Sequence, residues 1–123
     1  MTIDEFDQFC ESLPHTTLVI QWGNAHVWKI GGKVFAVGGW SHADEPGITF
    51  KCTASTFRNL KNKPGFRPAP YLASRGMTWL QWLGPETVSL DGLLEHLWQS
   101  YRLVAMGLTK AKRLQLGLDG DIL

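Results

Sequence analysis

Between residues 51 and 75 the chain carries Lys51, Arg58, Lys61, Lys63, Arg67 and Arg75 with no acid among them, and Tyr71 lies between the last two arginines. Lysines and arginines of this kind neutralise phosphates whatever the sequence of bases, so the chemistry open to the segment is sequence-tolerant nucleic-acid binding, with Tyr71 in contact. The formal net charge of +1 conceals this run. Residues 1–50 hold Asp4, Glu5, Asp7, Glu11, Asp44 and Glu45 against Lys29 and Lys33, and the later excess of cations cancels them. A basic face on a nearly neutral protein would follow, although the same charges also suit a solvated surface paired with the acidic half.

Catalytic chemistry is harder to find. His15, His26, His42 and His96 are scattered, and only His42 has carboxylates near it in sequence, at Asp44 and Glu45, where the trio lies in a turn and reads as a solvated loop ahead of a metal site. No serine sits in a G-x-S-x-G context and no G-x-x-x-x-G-K-[ST] loop is present. Cys10 and Cys52 each lie in an apolar stretch, without metal-ligand spacing, and read as reduced packing residues. The acids Asp4, Glu5, Asp7 and Glu11 fall on the first helix, where they complement its dipole. No catalytic residue, metal site or cofactor is expected.

The elements that would position the basic run are legible from periodicity. Thr2 stands three residues before Glu5 in a capping-box spacing, and Ile3, Phe6, Phe9, Cys10 and Leu13 recur at helical intervals up to Pro14. Strands are expected near 16–21, 26–30, 33–39 and 48–52. Gly31-Gly32 forms a two-residue hairpin turn that would set Trp28 opposite Phe35, and Asp44-Glu45-Pro46-Gly47 makes another turn. A short helix runs from about Thr53 to Asn62 and a loop from Pro64 to Gly76, stiffened by Pro68 and Pro70. In that loop Tyr71 is expected to rest its ring on the core and leave its hydroxyl wet, with base stacking as the alternative. A fifth strand, MTWLQWL, would point Trp79 and Trp82 to opposite faces, one into the core and one to the open face or under a loop. Ser89 caps a long helix through Leu108 that ends near Gly107, followed by the basic LTKAKRLQLG, either folded back on the domain or frayed. Helices before, between and after an antiparallel meander of about five or more strands imply an α+β domain of two layers, with the helices on one face.

A chain of 123 residues with 44% hydrophobic and 19% charged content fits one globular domain, spanning residues 1–123 with a core at about 2–114 and a short tail at 115–123. The acidic start and the lack of a long apolar run place it in the cytoplasm, away from membranes, and a monomer is favoured.

Several phrases in this order resemble the YjbR family, also called MmcQ-like: FCESLPHTT, WKIGGKVFAV, ITFKC before a short helix, PGFRPAPYL leading to a glycine and MTW, then LLEHLWQSYRLV and LTKAKR. The likeness extends from about residue 2 to 114. It implies the CyaY-like fold of the frataxin relatives, an antiparallel sheet backed by helices, and a double-wing protein that binds DNA. Frataxin-like iron binding would need acids on the first strand as well as on the first helix, and TTLVIQ has none.

The leading expectation is therefore non-catalytic binding of double-stranded DNA, with low sequence specificity, by Lys51, Arg58, Lys61, Lys63, Arg67, Tyr71 and Arg75. The alternative is a protein-interaction module that uses the open sheet face. A small-ligand or metal binder ranks last, since no concave set of converging polar groups is apparent in the sequence.

Overall fold

The computed structural model describes residues 1–40, 47–72 and 76–118. Arg75, the His42, Asp44 and Glu45 trio, most of the expected 44–47 turn and the end of the tail lie outside the described residues.

Helix α1 (Ile3–Ser12) begins at the capping box. The Thr2 hydroxyl accepts from the Glu5 amide, and the Glu5 carboxylate accepts from the Thr2 amide at 3.0 Å. Hydrogen bonding of the Glu5 carboxylate to Thr2, to its backbone amide first and to its side chain second, holds the Glu5 carboxyl below its ordinary range. The meander follows as β1 (Thr16–Gln21), β2 (Ala25–Ile30), β3 (Lys33–Gly38) and β4 (Ile48–Lys51), then α2 (Ala54–Leu60). Strand β5 (Phe66–Pro68) lies inside the segment expected to be a loop. It pairs with β6 (Trp79–Trp82) through Phe66 and Trp82, Arg67 and Gln81, and Pro68 and Leu80. Pro68 is tolerated because β5 is an edge strand. The sheet is six-stranded and antiparallel in the order β1-β2-β3-β4-β6-β5.

Helix α3 (Leu90–Met106) starts at Ser89, whose hydroxyl accepts from the Gly92 amide, and ends at Gly107. It crosses β2, β3 and β4 and buries Leu93, Leu97, Tyr101, Val104 and Ala105 against Ile30, Phe35, Phe50 and Leu80. The second cysteine, Cys52, joins this layer, and burial pushes its thiol up to about 11; burial raises Cys10 further still. The basic C-terminal segment folds back as α4 (Lys110–Leu116), closed by Gly117 in the left-handed region and anchored by Leu118, which is buried.

One register differs from expectation. The Gly31-Gly32 turn forms with both φ angles positive, but Trp28 faces Ala36, not Phe35. A β-bulge leaves Phe35 without a partner on β2, because the next pair is Lys29 with Val34. Its carbonyl is satisfied from the helix layer instead: Ser100 donates to Phe35 O at 2.6 Å and accepts from the Lys51 amide at 2.8 Å. A hydroxyl of α3 thus bridges the place where the β3–β4 ladder ends.

No helix of the described residues is long and apolar enough to cross a membrane.

Candidate functional site

The face of the sheet away from the α3 core carries a small apolar patch of Ala25, Val27 and Val37, with Val34 and Trp40 packed on it. Beside this patch opens a pocket of about 490 Å³ lined by Trp22, Gly23, Gly39, Trp40, Arg67, Pro70 and Tyr71.

Three backbone devices build it. The β1–β2 turn holds Trp22, Gly23 and Asn24 all at positive φ, at 55°, 76° and 71°, which lifts the Trp22 ring to the open side. Gly39, at φ 94°, turns the chain as it leaves β3 so that Trp40 lies back across the face. The Trp40 indole N–H donates to the Trp22 carbonyl at 3.3 Å, and the two rings stack with centroids 5.0 Å apart at an interplanar angle of 27°. After β5, Tyr71 is itself left-handed at φ 66° and meets Trp40 edge-on, 5.8 Å between centroids at 63°. A bulky residue in this region costs on the order of 1–3 kcal/mol, so two of the three aromatic walls are held in strained backbone.

The charge in the pocket is Arg67. Register sets it on the open face opposite Gln81, and its Nε donates to Gln81 Oε1 at 2.7 Å. Gln81 is fully buried, and its amide nitrogen donates to the Trp40 carbonyl at 3.1 Å and to Thr49 Oγ1 at 3.2 Å. Every polar atom of that amide therefore has a partner, and one side chain ties the arginine to the aromatic wall. Among the described lining residues Arg67 is the one charge, and it is set among rings that carry negative faces.

The remaining basic residues are divided. Lys51 ends β4, paired with Trp79, in a groove of about 470 Å³ that also includes Lys33, Val34, Met77 and Leu103. Arg58 and Lys61 belong to α2 and its cap, and Lys63 follows closely; Phe57 and Leu60 of that helix pack on the α3-side core, and the Lys61 ammonium lies 5.6 Å over the Phe57 ring. The pocket thus gathers Arg67 and Tyr71 from the basic run, and Lys61 caps the opposite layer.

Tyr71 does not rest on the core. Its left-handed backbone swings the ring outward, and 80% of it is exposed. Trp79 and Trp82 do face opposite sides, and both are buried: Trp82 joins the α3-side core with its indole N–H on the Val88 carbonyl at 2.9 Å, and Trp79 lies beside Lys51. His96 stacks on Phe50 at 5.2 Å, and burial lowers its pKa.

Trp22, Trp40 and Gln81 escaped the sequence reading as site residues. The available signal was glycine: Trp22 precedes Gly23 and Trp40 follows Gly38-Gly39, so both rings stand where the backbone is free to turn them out of a strand. Gln81 gave no signal, because a glutamine in a strand is ordinary until its partners on β4 and β5 are known.

Among the described residues no group of three or more His, Cys, Asp and Glu side chains could hold a metal ion. No curated protein matches the chain. Solved structures that share its architecture include the following two. One is the crystal structure of the Deinococcus radiodurans protein DR2400, described with a DUF419 domain, at 26% identity and a TM-score of 0.82 over 96% of this chain and 89% of that one. The other is a Pseudomonas syringae protein solved by the Northeast Structural Genomics Consortium, at 17% identity and a TM-score of 0.67 over 84% of this chain and 98% of that one; at that identity the likeness is one of fold. The YjbR family model matches residues 11–103, well over half of the sequence, and with the strand order and helix layer described above it places the chain in the YjbR family.

Proposed function

We propose that this chain is a non-catalytic DNA-binding protein of low sequence specificity, and that it binds through the open face of the sheet. The observation that carries the proposal is Arg67, fixed by Gln81 beside the Trp22, Trp40 and Tyr71 rings, on the face opposite the one on which the described helices pack. An arginine anchored through Nε presents the rest of its guanidinium to a phosphate in a defined orientation, which favours a charge-assisted contact. Lys51, on the same face by register, supplies a second cation. Arg58, Lys61 and Lys63, on the other layer, act as a diffuse field that raises the encounter rate.

Anisotropy of a labelled 20-base-pair duplex, titrated at about 50 and 200 mM salt, tests this. Binding that weakens steeply with salt and is similar for unrelated sequences is expected, with the log–log salt slope falling by about one when Arg67 is replaced by Ala. No binding at the lower salt, or an unchanged affinity and slope in Arg67→Glu, overturns it.

A second reading has its own support. Strand β1 is an edge strand without a charged residue, and Leu18, Val19 and Ile20 are 40%, 37% and 51% exposed. Such an edge accepts a further strand from a protein partner. Cross-linking of the pure protein and pull-downs that depend on Val19→Lys would favour this reading over the first.

A further inference from the structure

Within the open face, the pocket beside Arg67 is large enough to hold one planar group. Its volume of about 490 Å³ falls inside the range of roughly 300–1,000 Å³ usual for ligand pockets. Two of its walls are ring systems at a large angle: the stacked Trp22–Trp40 pair, and Tyr71 inclined at 63° to Trp40. A planar group laid on one of these rings meets the other with its edge, the arrangement aromatic quadrupoles favour. Arg67 is the one charge among the described lining residues, which selects an anion and disfavours the cation that a cage of bare aromatic rings would take. A nucleotide, planar at its base and anionic at its phosphate, meets both requirements.

We propose that this pocket receives one unpaired nucleotide of a single strand, its base stacked on the Tyr71 or Trp40 ring and its phosphate on Arg67. The inference rests on the nucleic-acid reading above and adds which form of nucleic acid the site selects. A base inside a duplex offers its edges and hides its faces, so rings that stand clear of the surface engage it only when it is unpaired or turned out of the helix. The Tyr71 ring is 80% exposed, held at a positive φ and set edge-on to Trp40. Gln81 links the two halves of the site, because the amide that orients Arg67 also bonds the Trp40 carbonyl.

The experiment compares a labelled dT10 strand, a duplex of the same length and free dTMP at one salt concentration, for the natural chain and for Tyr71→Ala and Tyr71→Phe. The single strand is expected to bind at least tenfold more tightly than the duplex. Tyr71→Ala should weaken the strand by about 5- to 150-fold, the loss of one stacked base, and be rescued by Tyr71→Phe. Tyr71 has no place in the core, so these variants fold, and circular dichroism spectra verify it. Duplex bound as tightly as the strand, or strand affinity untouched by Tyr71→Ala, refutes this inference and leaves the DNA-binding proposal standing. Free dTMP bound as tightly as the strand refutes the assignment to a strand. Absence of binding to all three probes refutes both proposals.

Discussion

Replacing Ser100 by Ala removes one hydroxyl and leaves two backbone groups stranded. The hydroxyl of α3 donates to Phe35 O and accepts from the Lys51 amide; Ser100 and Phe35 are 0% exposed, and the bond to Lys51 is partly buried. A buried polar group deprived of its partner costs roughly 1–3 kcal/mol, so the two together imply a loss of about 2–6 kcal/mol. Domains of this size are stable by about 5–15 kcal/mol, which makes this one atom worth a large fraction of the whole. With a urea slope of about 2 kcal/mol/M, the unfolding midpoint should fall by about 1–3 M at unchanged slope. Hydrogen exchange separates the mechanism from a general loosening: the Lys51 amide should lose more protection than the Thr49 and Phe50 amides, which lie within the paired part of β4. A loss below about 1 kcal/mol with the Lys51 amide still protected would show that the bulge relaxes to pair Phe35 and Lys51 by itself, and the account of Ser100 as the bridge would be wrong.

Two further outcomes follow from the packing. Gly38→Ala places a Cβ 2.7 Å from Ile3 Cδ1 and from the ring of Phe6, which is wholly buried, so α1 must shift; the cost should be about 1–3 kcal/mol in denaturant, and a neutral effect would contradict the contact. Burial lowers the pKa of His96 below its unfolded 6.5, so the unfolded chain binds the proton first: this contribution to stability is complete above about pH 6.5 and is lost as pH falls from there towards the folded pKa. The fall in unfolding midpoint between about pH 7 and about pH 5 should be shallower in His96→Phe, which keeps a ring against Phe50, and an identical fall would exclude His96 as its source.

Sequence patterning reached most of the elements because the relevant signals are local: the Thr2–Glu5 cap, the Gly31-Gly32 turn and the three-and-four spacing from Leu90 to Leu108 each act within a few residues. It failed where the cause is distant. At the bulge the Phe35 carbonyl finds its partner in Ser100, 65 residues away, and a two-residue turn read alone puts Trp28 against the wrong partner. Strand β5 is three residues long and contains a proline, and it becomes a strand only because β6 offers it an edge. The site shows the same division. Arg67 and Tyr71 stand in a conspicuous charged, proline-rich stretch, but Trp22 and Trp40 join them only after the sheet has formed and Gly39 has turned Trp40 across it.

The same long-range closures bear on how the chain is made. Phe35 O awaits Ser100, and Pro14 O awaits the Tyr101 hydroxyl, 87 residues later, at 2.7 Å. During synthesis the first strands can pair as soon as they emerge and α1 can cover part of their inner face, yet Ile30 and Phe35 lack the Leu97, Tyr101 and Val104 side chains of their cluster until α3 leaves the ribosome. A nascent chain that stops before residue 105 therefore presents a greasy half-sheet with an uncharged edge, a natural target for chaperones and proteases. Cells should clear such fragments quickly, and the completed helix is what turns the meander into a protein that survives.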